Sequence, residues 1–217
     1  MRWMLLALLM LGWSCSSRGD QGHAVVKVRG PAVADSASLN GSSSSPEDFS
    51  QFAYPVEVVG YGEDGKHVKT ISVEPKHVLA AFGGHLLGGD RGEWGGELVF
   101  RDRDAVNHLL LNQNVRAIIP MPFGVVVFTG LAHMGFSNGA MYVVRLDTAQ
   151  LPHASLLHGL SGAPSDIRWT TGNDLVFTVQ PGIRSKHDFF SPPQPECYLL
   201  GKRGELKSLP CESISSK

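Results

Sequence analysis

The pentapeptide GFSNG, residues 135–139, sets a serine between glycines in the G-x-S-x-G spacing. That spacing supports nucleophilic attack on a carbonyl when a strained strand-to-helix turn exposes the hydroxyl beside an oxyanion hole. A matching acid and base, in the chain order Ser, Asp, His, would be Ser137, Asp166 or Asp174, and His187. The surroundings argue against an elbow. AMYVVRLD, which follows it, alternates like a strand and carries no helical face. Three fixed positions also arise readily by chance in a chain with 25 glycines.

Three stretches hold stronger candidates for recognition: GGDRGEWGG (88–96), GLAHMGFSNGA (130–140) and QPGIRSKHDFFSPPQPE (180–196). The first has neither the GxGxxG spacing nor the GK[ST] ending of a phosphate loop. Its glycines are read as turn residues at positive φ. The three stretches occupy equivalent places in a repeat, so they are expected to meet along one rim. There they would display Asp90, Arg91, Glu93, Trp94, His133, Asn138, Arg184, His187 and Asp188. Mixed charge beside an exposed tryptophan is the composition of a binding surface. The competing local reading lays Trp94 back over its sheet and pairs Arg91 with Asp90 or Glu93.

No metal or cofactor is expected. DRD (102–104) falls at a hairpin turn, where aspartate is favoured for its side-chain hydrogen bonds to the backbone. His67, His108 and His153 recur one per repeat. Ligands must converge within about 2 Å of one ion, which histidines on separate units do not do.

The elements that would position these residues are strands. From Gln51 onward short apolar or alternating runs are punctuated by Gly, Pro, Asn and Asp. Hairpins are read in VEVVGYGEDGKHVKTI (from Val56), LVFRDRDAVNHLLL (from Leu98), YVVRLDTAQLPHASLL (from Tyr142) and YLLGKRGELKSL (from Tyr198). Between them lie three more: HVLAAFGGHLLGGD (77–90), RAIIPMPFGVVVFTG (116–130) and DIRWTTGNDLVFTVQ (166–180). Two successive hairpins make a four-stranded unit, and the pattern resembles the blades of a β-propeller. The resemblance covers roughly residues 55–211 and lacks Trp-Asp or kelch signature residues. It implies an all-β fold of about four antiparallel blades or an open fragment, with a β-sandwich as the alternative. Residues 23–28 or 49–54 would complete the first, two-stranded unit. Leu86, Leu87, Val126, Val127, Phe128, Val176 and Phe177 are expected on buried central strands. Cys197 and Cys211 flank the last hairpin nearly symmetrically, which brings them within disulfide range.

The N-terminus reads as an export signal: Arg2, an apolar run too short for a bilayer of roughly 30 Å, then small residues. LGWSC resembles the lipobox of bacterial lipoproteins, with Cys15 as the lipidated residue. It departs from that pattern in having Gly12, not leucine, three places before the cysteine. Residues 16–48 are rich in Ser, Gly and Ala and suit a flexible tether with a reach of about 30 Å. Ordinary cleavage near Ser14–Ser16 would instead give a soluble secreted protein. The folded domain is expected over 49–217.

Lys and Arg number 19 against 20 Asp and Glu, a formal charge of −1. Nucleic-acid binding, which needs clustered positive charge, is therefore not expected. The function expected is that of a non-enzymatic, periplasm-facing envelope lipoprotein. Its loops would bind a protein or other envelope macromolecule, as an inhibitor or immunity protein does. The alternatives are a serine hydrolase using Ser137 and a purely structural envelope protein.

Overall fold

The computed structural model describes residues 28–29, 48–62, 65–183, 190–191 and 193–213. Runs rich in β-branched and aromatic residues, cut by turn formers, fold as antiparallel strands. β1 (Val28–Arg29) is followed by a hairpin of β2 (Tyr54–Gly62) and β3 (Gly65–Val73). A first sheet contains β4 (His77–Ala81), β5 (Gly84–Gly88), β6 (Leu98–Arg101) and β7 (Val106–Leu111). The second contains β8 (Val115–Met121), β9 (Gly124–His133), β10 (Phe136–Leu146) and β11 (Pro152–Leu160). The third contains β12 (Gly162–Trp169), β13 (Leu175–Pro181), β14 (Glu196–Leu200) and β15 (Leu206–Leu209). Each of these three sheets is an up-and-down meander in chain order. All seven hairpins read in the sequence are present.

Their turns explain the repeat. At Asp102–Ala105, Asp147–Gln150 and Gly201–Gly204, the fourth N–H donates to the first carbonyl, at 3.1, 3.1 and 3.0 Å. The fourth residue is left-handed in each, with φ of 59°, 61° and 89°. Asp102 and Asp147 each accept backbone N–H bonds two and four residues on through Oδ1. The acid in DRD is thus a turn device. His108 adds a 2.8 Å contact to its other oxygen.

Strand alternation gives each strand two faces, and β5 and β9 bury both over much of their length. On one face Leu86, Leu98 and Phe100 of the first sheet meet Val125 and Val127 of the second. Val126, Phe128 and Met141 of the second meet Leu175, Phe177 and Val179 of the third. Phe128 and Phe177 cross edge to face, with centroids 5.0 Å apart. All seven residues expected on central strands are buried, on the second strand of each sheet. Where β10 approaches β12, a Cβ on Gly139 would overlap the Gly162 carbonyl oxygen, so the close approach requires glycine.

The stack ends differently from the expected completion of the first unit. Val28 and Arg29 pair with Asn107 and Val106, adding β1 to the edge of the first sheet. Residues 50–52 form a single 3-10 turn before β2. The β2–β3 hairpin therefore stays two-stranded, and the described sheets do not close into a ring. Its base, through Tyr54, Val56, Ile71 and Val73, packs on Leu87 and Val99 across the free face of the first sheet. The outer face of the third sheet is polar at Ser165, Thr178 and Lys207. Its apolar part is a small cluster of Val176, Cys197, Leu199, Leu209 and Cys211.

Cys197 and Cys211 are joined, with Cα atoms 5.2 Å apart. The cross-strand partner of Cys197 is Leu209. Cys211 lies two residues further, in the turn Cys211–Ser213, and reaches back diagonally. The bridge closes the last hairpin against fraying. Loss of a loop of this length is expected to cost about 3 kcal/mol. Urea unfolding of a Cys197→Ser, Cys211→Ser variant measures it; a cost under about 1 kcal/mol would show that the bridge constrains little.

Candidate functional site

Three sheets built in the same strand order send equivalent connections to the same end. The β5–β6 loop, the β9–β10 turn and the start of the β13–β14 connection meet there. Glu93 Oε2 lies 3.0 Å from His133 Nε2, linking the first loop to the second. The Ile183 N–H donates to the Gly135 carbonyl at 2.7 Å, linking the third to the second.

The first loop is held from inside. Glu97 is buried and accepts the Tyr54 hydroxyl at 2.7 Å. Arg91 Nη1 donates to both Glu97 oxygens, at 2.5 and 2.6 Å. Burial, followed by the Glu97 charge, pushes the Tyr54 phenol far above its ordinary pKa, so it stays a donor. Asp90 pairs with Arg116 at 3.2 Å and more loosely with Lys76 at 4.0 Å. The buried amide of Asn114 donates to the Gly92 carbonyl at 2.7 Å. Asp90 and Arg91 are therefore framework, and neither is displayed on the rim. Arg91 bypasses the nearer Asp90 and Glu93 because Glu97 shares its desolvated space with Tyr54, where a charge needs a partner most.

What the framework presents is largely apolar. Trp94, in the one-turn helix Gly92–Trp94, is 76% exposed. Met134 is 93% exposed, and Phe136 and Ile183 are also open to solvent. Met134 and Gly135 form a two-residue turn at φ 46° and 82°. The same kind of turn at Phe82 and Gly83 has φ 55° and 76°. Phe82 offsets its strain by packing on the core. Met134 has no such burial, and uncompensated backbone strain points to a functional position. Sequence reading named Trp94, His133, Glu93 and Asn138 but missed Met134, Phe136 and Ile183. The signal available was a bulky residue in a hairpin tip, M-G, where Asn or Asp is usual.

Two clefts open at this end. One, of about 360 Å³ between the second and third sheets, is lined by Met134, Phe136, Ser137, Pro181, Ile183 and Pro193, among others. The other, of about 270 Å³ between the first and second sheets, is lined by Gly95, Gln113, Asn114, Leu131 and Asn138, among others. The β9–β10 hairpin tip stands between them.

Ser137 lies within β10, paired with Ala132, so the serine of GFSNG sits on a strand and not on an elbow. Its Oγ accepts the Ala163 N–H at 2.8 Å. Asp166 lies three residues beyond Ala163, about 10 Å along β12 by strand rise, and accepts a bond from Thr178. Asp174 closes the Thr170 turn. Neither acid lies beside Ser137. Cys15, Arg184, His187 and Asp188 fall outside the described residues. His67, His108 and His153 stand on β3, β7 and β11, in separate sheets. Among the described residues, no three of His, Cys, Asp and Glu gather as a metal site would require. No helix among them is long and apolar enough to cross a membrane.

Two histidines of the first sheet give stability a pH dependence. Burial holds the His77 imidazole below its ordinary pKa of 6.5; Asp90 opposes this, while Lys76 and Arg116 reinforce it. Burial and then Arg101 do the same at His85, whose ring meets that of Phe52 at a tilt, with centroids 4.9 Å apart. The folded state takes up these protons less readily than the unfolded chain. Their contribution is therefore complete above about pH 6.5 and declines as the pH falls below it. Melting temperatures should drop between about pH 7.5 and about pH 5.5, and drop less in a His77→Gln, His85→Gln variant. Equal drops would remove these residues as the cause.

No protein-family model, curated protein or solved structure matches the chain.

Proposed function

We propose that this is a non-enzymatic binding protein of the bacterial cell envelope, lipid-anchored through Cys15, whose rim engages another macromolecule. The observation that carries the reading is the rim itself. A strained, fully exposed Met134 and the exposed Phe136 share this end with Trp94, whose loop is clamped from within by the Tyr54–Glu97–Arg91 network. Exposed aromatic and methionine side chains on a rigid base are typical anchors of a recognition surface. The anchor rests on the resemblance of LGWSC to a lipobox. We read the three meanders as blades of an open β-propeller-like array. Their common strand order, recurring turn and face-to-face packing support this.

The test is capture of envelope and secreted proteins or glycans by the full chain, beside a Trp94→Ala, Met134→Ser variant. Both residues are exposed, so the fold should survive their loss within about 0.5 kcal/mol per site. A ligand retained by the wild type and reduced about tenfold or more in the variant supports the reading. Identical capture, or none by either, points instead to a structural envelope protein.

A further inference from the structure

We infer that the cleft between the first and second sheets binds one ring of a neutral glycan, with Trp94 as its stacking face. The inference rests on reading the rim as a binding face and names the ligand class for one part of it. Among the described residues, none that lines the cleft has an ionisable side chain. The nearby Arg91 guanidinium is committed to Glu97. Arg116, which donates to the Gly130 carbonyl of the lining, is paired with Asp90. Among the described residues, a phosphate or carboxylate ligand would meet no uncommitted positive charge at the lining, and desolvating it would go uncompensated.

What the cleft offers is amides. A primary amide has two N–H donors. Gln113 Nε2 donates to the Tyr142 hydroxyl, and Asn114 Nδ2 to the Gly92 carbonyl. The Asn138 Nδ2 has no partner among the described residues, while its Oδ1 accepts the Leu131 N–H at 3.1 Å. Each amide therefore keeps at least one N–H for a ligand. The oxygens of Gln113 and Asn138, each accepting one bond, keep a lone pair. Ligand groups that both donate and accept, without charge, are hydroxyls.

Trp94 does not itself line the cleft but is the residue before Gly95, which does, and its indole is exposed. A sugar ring has a face of C–H bonds and an edge of hydroxyls, and an indole beside amides complements both. The platform is preorganised: the Arg91 N–H donates to the Gly95 carbonyl at 2.9 Å, and Asn114 holds Gly92. Ordering the loop therefore costs the bound state little. The volume, just under the roughly 300–1,000 Å³ of small-molecule sites, suits one ring of a longer chain. The other cleft differs in chemistry. It is lined mainly by apolar side chains together with the imidazole of His133, and it has a single side-chain amide among its described lining residues, Gln180, which donates to the Pro193 carbonyl.

The experiment titrates the full chain, detergent-solubilised where lipidated, with maltotetraose, cellotetraose and chitotetraose. An acetylated, amidated Gly-Ser-Asn peptide, which carries no charge, serves as the alternative ligand, and calorimetry is the readout. Saturable binding of at least one oligosaccharide, weakened about tenfold or more by Trp94→Ala and by Asn138→Ala, supports the inference. It is overturned by no oligosaccharide binding up to about 10 mM, by equal affinity in both variants, or by preference for the peptide. If oligosaccharides fail while rim-dependent capture of a protein persists, the glycan is excluded and the binding face stands. If both fail, the face falls too.

Discussion

A Glu97→Ala variant is expected to lose about 3–5 kcal/mol of stability, the usual cost of breaking a buried ion pair from one side. Glu97 is 5% exposed in its side chain and Arg91 is 19% exposed. Removing the carboxylate leaves the guanidinium without its counter-charge. The Arg91 Nε is already buried with no partner among the described residues. The Tyr54 hydroxyl, one strand away on the packed hairpin, loses its acceptor as well. Against a total stability of about 5–15 kcal/mol for an ordinary domain, this loss would populate the unfolded chain. A triple Tyr54→Phe, Arg91→Met, Glu97→Leu variant should recover most of it, because no stranded polar group remains. Urea unfolding of both variants decides the matter. A Glu97→Ala cost below about 1 kcal/mol would mean that water reaches the pair, and the loop bearing Trp94 would then lack the rigid base argued for it.

Phe177→Ala is expected to cost a similar amount, about 3–5 kcal/mol, by a different mechanism. Phe177 is fully buried between the second and third sheets, edge to face with Phe128 and stacked 5.6 Å from Tyr198. Its ring fills space that two sheets, each tied by its own ladder, cannot collapse to close. The penalty should combine lost burial with a residual cavity. Val59→Ala, on the exposed β2–β3 hairpin, is the control and should stay within about 0.5 kcal/mol. Chemical denaturation compares the two. Near-equal effects would contradict a core formed between these sheets.

Several features were legible in the residues because local physics dictates them. The seven hairpins follow from strand runs cut by turn formers. The burial of Leu86, Val127 and Phe177 follows from runs that are apolar on both faces. The Cys197–Cys211 bridge follows from two cysteines flanking a short turn. Even the meeting of the three loops is a local consequence, since equal strand order sends equal connections to one end.

Partner choice across the chain was not legible. Arg91 had two acids nearer in sequence, yet it pairs with Glu97, because Tyr54, 43 residues before Glu97, closes that site off from water. β1 joined β7 and left the first hairpin two-stranded, since any unpaired strand edge accepts any extended segment and residue types alone do not rank them. Met134, Phe136 and the two clefts appear only once the sheets are stacked. The sequence by itself determined which segments are strands, where they turn and which faces are apolar, because those depend on neighbours along the chain. Tertiary structure alone decided which charges are buried together, where the stack ends and what the rim displays, because those depend on which groups lose water to one another.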